Sequence, residues 1–205
     1  MQPVLYYVHD PMCSWCWAFR PTLTALKAAL PDDLPVHPLL GGLAPDSDTP
    51  MPEEMRQYLQ NTWRKIQAVV PGTEFNYDFW HNNVPRRSTY PACRAVIAAT
   101  QQDPSMADAM THAIQRAYYL EATNPSDDAN LVAIARHLGL DTDRFSHDLN
   151  APATHEQLLA NITEHRALGA QGFPSLIIAS EAGNTLIPID YVDAAPMLTA
   201  IHEAT

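Results

Sequence analysis

Cysteine is scarce in this sequence. The 205-residue chain has three cysteines, Cys13, Cys16 and Cys93. An odd and small number in a chain of this length excludes a disulfide framework of the kind that holds small secreted domains together. The sequence also lacks a second C-x-x-C, which a structural zinc site would usually need. A single C-x-x-C motif, formed by Cys13 and Cys16, is therefore the feature that most directly indicates a function.

Basic residues are few, and long apolar runs are missing. Lys and Arg number 12 against 23 Asp and Glu, so the net charge is −11, which disfavours binding to nucleic acid or to anionic membranes. No stretch of eighteen or more apolar residues is present, which excludes a spanning helix. The first residues show no basic segment followed by an apolar run and a cleavage site. We therefore expect a cytoplasmic protein.

The first forty residues have the pattern of a β-α-β unit. Val4–His9 is short, apolar and rich in β-branched and aromatic residues, as in a buried parallel strand. Residues 18–30 carry apolar side chains at spacings of three and four, which predicts a helix that begins near Cys13, with Asp10 or Pro11 in its capping region. Val36–Leu40 reads as a second strand. Two such strands should be parallel, with a right-handed crossover.

Helical patterns dominate the middle of the chain, and strands return near its end. The helices are predicted at 53–69, 91–102, 105–121, 127–138, 141–149 and 154–168, with a long loop at 71–88. Residues 174–179 and 185–189 read as an antiparallel hairpin with a five-residue connection, followed by a helix at 191–203. The order predicts an α/β fold: a four-stranded mixed sheet flanked by helices, with an all-helical insertion between its βαβ and ββα halves.

The position of the C-x-x-C motif indicates redox chemistry. Cys13 lies where the first strand ends and the first helix begins, and a helix N-terminus favours an anion. A thiolate is such an anion, and it is the form of cysteine that attacks disulfides. Cys16, one helical turn further on, can form a disulfide with Cys13. We predict that Cys13 is the exposed nucleophile and that Cys16 is the more buried resolving partner.

A zinc site and a purely structural role are the alternatives to a redox pair. In a zinc site, His9 or other histidines would have to complete the ligand set, and nothing in the spacing of the histidines indicates one. In a structural role, Cys13 and Cys16 would be inert core residues that happen to lie three positions apart. A redox pair at a strand-to-helix junction fits the sequence better than either, and no metal site is predicted.

Residues 10–19, Asp-Pro-Met-Cys-Ser-Trp-Cys-Trp-Ala-Phe, resemble the active-site segment of thioredoxin-fold oxidoreductases. The resemblance is closest to the DsbA-like branch called FrnE-like, or predicted cytosolic protein-disulfide isomerases. Pro21, and the sequence Gly-Phe-Pro-Ser at 172–175 before a predicted strand, match further features of that fold. The resemblance implies a discontinuous thioredoxin-fold domain at 1–50 and 169–205, with a helical insertion domain at 51–168.

The proline in this second motif has a physical role of its own. The resemblance implies that Pro174 follows a cis peptide bond and faces the cysteine pair, and X-Pro bonds are the ones that adopt cis at low cost. The backbone of Phe173 would then point toward the cysteines and pair with an extended substrate chain. The alternative is a trans proline that only begins an edge strand.

Other features of the motif leave the redox direction open. Ser14 and Trp15 separate the cysteines, where thioredoxin has Gly-Pro and periplasmic DsbA has Pro-His. Ser14 can hydrogen-bond to the Cys13 sulfur, and Trp15, with Trp17 and Phe173, could form an aromatic rim for peptide substrates. Of the two tryptophans, Trp15 is the better candidate for exposure, and a core contact of the helix is the favoured interpretation of Trp17. No buried carboxylate is evident as a proton acceptor.

Three other residues are weaker candidates for a role at the site. His9 and His37 are possible proton relays, although a structural or surface histidine is the commoner case. Cys93 is either a buried free thiol or a second low-pKa thiol at a helix start.

We therefore predict a thiol–disulfide oxidoreductase of the protein disulfide isomerase, oxidase or reductase type. Cys13 and Cys16 would be its catalytic residues, and Ser14, Trp15, Phe173 and Pro174 would bind substrate. Its partners would be protein or peptide thiols and disulfides, with no organic cofactor and with glutathione or a thioredoxin system as redox partner. One alternative is a glutathione-dependent transferase or isomerase of the kappa-class type, which usually carries Ser at the position of Cys13. The other is a non-enzymatic, chaperone-like peptide-binding module.

Overall fold

The computed structural model describes residues 2–205. Four strands and nine helices occur within this range. In chain order they are β1 (Val4–His9), α1 (Ser14–Ala29), β2 (Val36–Leu40), α2 (Glu53–Val69), α3 (Phe79–Asn82), α4 (Tyr90–Gln102), α5 (Met106–Tyr119), α6 (Asp128–His137), α7 (Thr142–Leu149), α8 (Pro152–Ala167), β3 (Ser175–Ser180), β4 (Gly183–Ile187) and α9 (Ala195–Ala204).

The strands form one mixed sheet in the order β2-β1-β3-β4. β1 and β2 are parallel, with Leu5 opposite Val36, and are joined by the crossover helix α1. β3 is antiparallel to both β1 and β4. The βαβ half and the ββα half therefore meet at β1 and β3, which confirms the predicted four-stranded mixed sheet.

The central strand β1 is buried on both faces of the sheet. On one face Leu5 and Tyr7 pack with apolar residues of α1, β3 and α9, including Phe19, Leu176 and Met197. On the other face Val8 packs with Leu39 and Ile177, and partly buried residues of the segment that leads into β3, Leu168, Ala170 and Phe173, cover them. Because both faces are covered, β1 lacks the polar alternation of a half-exposed strand. The carboxyl end of β1, which leads into α1, is therefore enclosed by the core on both sides.

The helices between β2 and β3 form two apolar clusters of their own. One is built from α4 to α8. The other is aromatic and connects this block to α1, since Ala18 is buried in it and Trp17 packs against it. Its centre is Trp63 of α2, whose ring lies 4.7 Å from the ring of Phe75 and 5.0 Å from that of Trp80. The helical insertion therefore holds the outer side of the helix that carries both cysteines.

Most element boundaries differ from the sequence prediction by one or two residues, and three differences are structurally informative. The predicted loop at 71–88 contains the one-turn helix α3, whose aromatic residues Phe79 and Trp80 are buried in the aromatic cluster. The connection between β3 and β4 is shorter than predicted, because the strands already pair at Ser180 and Gly183. The last helix begins at Ala195, because the Asp190 side chain accepts hydrogen bonds from two following backbone N–H groups and holds a turn there.

None of the helices in residues 2–205 combines the length and the apolar character needed to traverse a lipid bilayer.

The aromatic cluster should contribute strongly to stability. We expect Trp63→Ala to lower the free energy of unfolding by about 3–5 kcal/mol, because it removes a large ring that is 1 % exposed. Tyr58→Ala on the same helix is the matched control, since Tyr58 is 64 % exposed, and its effect should stay within about 0.5 kcal/mol. Urea unfolding followed by circular dichroism measures both values. Equal losses for the two variants would contradict this account of the cluster.

Candidate active site

Cys13 occupies the junction between β1 and α1. It is the N-cap residue of α1, with extended backbone angles, and its carbonyl accepts the first helical hydrogen bond from the N–H of Trp17 at 3.1 Å. The N–H of Cys13 donates to the carbonyl of Asp10 at 3.0 Å, which closes the turn that leads out of the strand. The N-cap side chain makes no capping hydrogen bond. The Cys13 sulfur is therefore carried at the positive end of the helix dipole.

The two cysteines of the motif differ in burial and in protonation. Neither is paired in a disulfide, and both are buried: Cys16 is completely buried and Cys13 retains 7 % exposure. The prediction of an exposed Cys13 is therefore wrong, because the start of α1 is covered by surrounding segments, although Cys13 is the more accessible of the two thiols. Burial is the main cause that raises the pKa of the Cys16 thiol well above its usual range. A hydrogen bond to Cys13 and the negative charge that Cys13 carries as a thiolate raise that pKa further. The Cys16 thiol therefore keeps its proton at neutral pH.

Phe173 and Pro174 lie directly beside Cys13. The peptide bond between them is cis, and the Cys13 Sγ is 3.4 Å from the Phe173 carbonyl oxygen, to which the thiol donates. The Phe173 ring packs against Gly41 at the end of β2, where an added Cβ would come within 2.3 Å of the ring. It also meets the ring of His165 edge-on at 5.5 Å between centroids. Residues 160 positions apart in the sequence are thereby brought into contact at the sulfur.

Ser14 and Trp15 separate the two cysteines, and Trp15 contacts an aromatic residue that was not part of the predicted rim. Ser14 is the first residue of α1, and both Ser14 and Trp15 are half-buried. The indole of Trp15 packs against Tyr191, with 4.9 Å between ring centroids. Tyr191 also meets the ring of Phe19 edge-on, with 5.8 Å between centroids, and burial raises the pKa of its phenol. Tyr191 is thus a residue of the site that sequence reasoning missed.

Trp17, the third aromatic residue of the predicted rim besides Trp15 and Phe173, is a packing residue. Its indole N–H donates to the carbonyl of Glu74 at 3.1 Å, and its ring stacks on Tyr119 at 5.7 Å. It therefore anchors α1 to the helical insertion.

Asp10 is the buried carboxylate that the sequence did not reveal. Its side chain is fully buried directly after β1. One oxygen accepts from the N–H of Met12 at 2.8 Å; the other accepts from the N–H of Leu43 at 2.8 Å and the hydroxyl of Thr89 at 2.7 Å. Burial raises the pKa of Asp10, and these hydrogen bonds oppose the increase. In the sequence, Asp10 was marked only by its position before Pro11, which suggested that it caps the first helix.

The structure does not support a reactive role for the three weaker candidates, Cys93, His9 and His37. Cys93 is fully buried, burial raises its pKa well above the usual range, and its thiol donates to Asp10 at 3.5 Å, so the alternative of a low-pKa thiol is wrong. His9 is buried and stacks on Tyr7 with 4.7 Å between ring centroids. Burial lowers its pKa to about 3, so the ring is neutral at physiological pH. His37 is exposed on the edge strand β2, beside Tyr6.

These residues form a site for thiol chemistry. It combines one sulfur at a helix N-terminus, a second sulfur that holds a proton behind it, and a backbone carbonyl beside the first. Among residues 2–205, no cluster of three or more His, Cys, Asp or Glu side chains is arranged to hold a metal ion.

Solved structures of similar proteins share this architecture across nearly the whole chain. A Nitrosomonas europaea protein with a provisional assignment as a protein disulfide isomerase is 28 % identical, with a TM-score of 0.85 over 99 % of this chain and 97 % of its own. The cytosolic disulfide reductase DsbM of Pseudomonas aeruginosa is 24 % identical, with a TM-score of 0.77 over 98 % of each chain, and has also been solved with GSH.

Among curated proteins, the chain resembles the ClpXP adapter protein SpxH of Halalkalibacterium halodurans, with 23 % identity over 181 residues. That alignment covers 86 % of this chain but 58 % of the relative, so the chain spans little more than half of that protein's length. The model of the DSBA-like thioredoxin domain matches residues 4–195, which include every element from β1 to the start of α9. The chain therefore belongs to the DSBA-like thioredoxin domain family.

Proposed function

We propose that this protein is a thiol–disulfide oxidoreductase that exchanges disulfides with peptide or protein substrates through Cys13 and Cys16. The observation that carries the proposal is the arrangement at the start of α1. Cys13 is the N-cap residue and the more accessible thiol, and Cys16 is a completely buried thiol one helical turn further on, with a raised pKa. A thiolate is the attacking species in disulfide exchange, and a helix N-terminus favours an anion.

Thiol–disulfide exchange would proceed in two steps, attack by Cys13 and resolution by Cys16. In the reducing direction, the Cys13 thiolate attacks one sulfur of a substrate disulfide, forms a mixed disulfide and displaces the other substrate sulfur as a thiolate. Cys16 then loses its proton to solvent and attacks the Cys13 sulfur. This second step forms the Cys13–Cys16 disulfide and releases the second substrate thiolate. Two electrons pass from the cysteine pair to the substrate, and the same steps in reverse oxidise a dithiol.

The segment at Phe173 and Pro174 would position the substrate. The Phe173 carbonyl, 3.4 Å from the Cys13 sulfur, is a free acceptor once that sulfur has given up its proton or formed a bond. An extended peptide next to the mixed disulfide could donate a backbone N–H to it, as a strand added to an edge does. Ser14 and Trp15 would contact the same substrate from the first turn of α1.

The redox partner that we propose is glutathione or a thioredoxin-type system, with no organic cofactor held by the protein. The proposal of glutathione is supported by the similarity to DsbM, which has been solved with GSH. Similarity to the same cytosolic reductase supports a proposed location in the cytoplasm.

Two other functions make distinct experimental predictions. A kappa-class type transferase would bind glutathione without needing Cys16. Calorimetric titration of Cys16→Ser with glutathione would then show unchanged binding, and the variant would keep full glutathione-transferase activity. A peptide-binding module, the kind of role suggested by the adapter named SpxH, would suppress aggregation of an unfolded client equally well after replacement of both Cys13 and Cys16.

Substitution of each cysteine should have a different effect on turnover. We expect Cys13→Ser to abolish insulin reduction and the refolding of scrambled ribonuclease, because the attacking sulfur is lost. Cys16→Ser should still attack, but it should accumulate a mixed disulfide that mass spectrometry detects on Cys13. Cys93→Ser, which keeps a donor beside Asp10, is the control with near wild-type turnover. Full activity of Cys13→Ser would show that the proposal is wrong.

The resolving step should accelerate with pH. Because burial raises the pKa of Cys16, its thiolate is scarce at neutral pH and grows about tenfold per pH unit until the pH reaches that pKa. Burial persists after Cys13 has formed a mixed disulfide. Reaction of the reduced protein with Ellman's reagent should release thionitrobenzoate in two phases, of which Cys16→Ser lacks the second. A second-phase rate that levels off below about pH 8.5, the pKa of an ordinary cysteine, would contradict the assignment.

The close contact between Gly41 and Phe173 should be essential for substrate positioning. We expect Gly41→Ala to lower kcat/KM for a peptide disulfide by roughly 10- to 100-fold, since the added Cβ displaces the Phe173 ring and moves its carbonyl away from Cys13. Gly172→Ala is the control, because an added Cβ there meets nothing within 4 Å. In a Phe173→Ala background the effect of Gly41→Ala should vanish. An unchanged effect in that background would rule out the ring contact as the cause.

A further inference from the structure

A cavity of about 390 Å³ lies between the sheet and the helical insertion, behind Cys16. α1, β1 and β2 form one wall, and α4, α5 and α8 form the other. Neither Cys13 nor Phe173 lines it, whereas Cys16 does, so this cavity is separate from the surface at which a substrate disulfide would meet the nucleophile. Its volume is in the range of sites for small organic molecules.

The base of the cavity contains polar groups without partners. His9 is 5 % exposed and Gln115 is 2 % exposed, and both line the cavity. Within residues 2–205, the Nδ1 of His9 and the Oε1 of Gln115 have no hydrogen-bond partner. Buried polar atoms are almost always paired, so two unpaired ones that line the same cavity indicate a ligand with hydrogen-bonding groups. The Gln115 oxygen can only accept, and the ligand must therefore carry a donor.

Two cations lie on the α1 wall. Lys27 and Arg20 both line the cavity, and the positive charge of each acts on His9 to lower its pKa, after the larger effect of burial. One guanidinium nitrogen of Arg20 is paired with Asp108 at 2.6 Å, which leaves other donors of the fork for a second anion. Lys27 lies over the Tyr7 ring, with its ammonium 5.9 Å from the centroid. This wall therefore favours a negatively charged group.

Apolar side chains line part of both walls. Val96 and Ile97 of α4 lie on one side and Leu39 and Leu40 of β2 on the other, and all four are buried. Exposed residues, among them Glu164 and Gln157 of α8, lie at the mouth. An amphipathic molecule with its charge toward α1 and its apolar body toward α4 would match both walls.

We propose that this cavity binds a small organic anion that combines one carboxylate or sulfonate, an apolar body and a hydrogen-bond donor. Lys27 and Arg20 would hold the anionic group, Gln115 would accept from the donor, and Val96 and Ile97 would contact the apolar body. Because Cys16 forms part of the base, an occupant would lie next to the resolving thiol. The site does not depend on the proposed redox function, since its binding groups are separate from Cys13 and Phe173.

Anilinonaphthalene sulfonate is a suitable probe, because it carries a sulfonate, an aromatic body and one N–H donor. We expect the reduced protein to bind one equivalent of this probe with enhanced fluorescence. Lys27→Gln should weaken the affinity about tenfold, the effect of one charge-assisted hydrogen bond. Lys65→Gln on the exposed face of α2 is the matched control and should bind as the wild type does. Equal affinities of the two lysine variants would overturn the proposal.

Two further measurements test the place and the chemistry of binding. Ile97→Trp should fill the cavity and abolish binding, and Thr100→Trp at the same wall provides a second filling variant if the first does not fold. 8-Hydroxyoctanoate, which combines a carboxylate, an apolar body and a hydroxyl donor, should displace the probe, whereas 1-octanol, with a similar apolar body and a donor but no charge, should not. Retained binding in a folded filled variant, or equal displacement by the alcohol, would refute the site. All of these titrations are made without a disulfide substrate, so a failure here leaves the redox proposal standing.

Discussion

The geometry of the site depends on one buried carboxylate. Asp10 is placed between β1 and the helix that carries the cysteines, and its oxygens accept from three separate parts of the chain: the turn before Cys13, the loop after β2 at Leu43, and the insertion at Thr89 and Cys93. A buried carboxylate is costly unless its oxygens are hydrogen-bonded, so these partners must stay in place together. Asp10 thereby fixes the turn that holds Cys13 relative to both the sheet and the helical insertion.

The same carboxylate contributes to the difference between the two thiols. Burial is the largest cause of the raised pKa of Cys16, the Cys13 sulfur adds to it, and the negative charge of Asp10 adds a further increase. The dipole of α1 acts on the sulfur at its N-cap, while Cys16 is already inside the first turn and enclosed. Under the proposed function, position along one helical turn would separate an attacking sulfur from a resolving sulfur that keeps its proton until the second step of disulfide exchange.

Local patterns in the sequence were sufficient for the fold and for part of the site. The apolar run of β1, the helical spacing of α1 and the Phe-Pro pair before β3 are signals within a few residues, and the topology follows from their order. Asp10 could not be found in this way, because its partners Leu43 and Thr89 lie 33 and 79 positions away. The cavity behind Cys16 was equally inaccessible, since six different elements line it and no single segment contains its pattern.

A redox titration of the protein would show whether Cys13 and Cys16 act as a redox pair. After equilibration with glutathione buffers of graded ratio and acid quenching, peptide mapping would show which thiols have paired. We predict that only Cys13 and Cys16 form a disulfide. It should form in one two-electron transition, in which a change of about 30 mV in the potential of the buffer changes the ratio of oxidised to reduced protein tenfold. Cys93 should remain a thiol throughout. A disulfide that includes Cys93, or a Cys13–Cys16 pair that stays reduced in every buffer including the most oxidising, would contradict the proposed role of the pair.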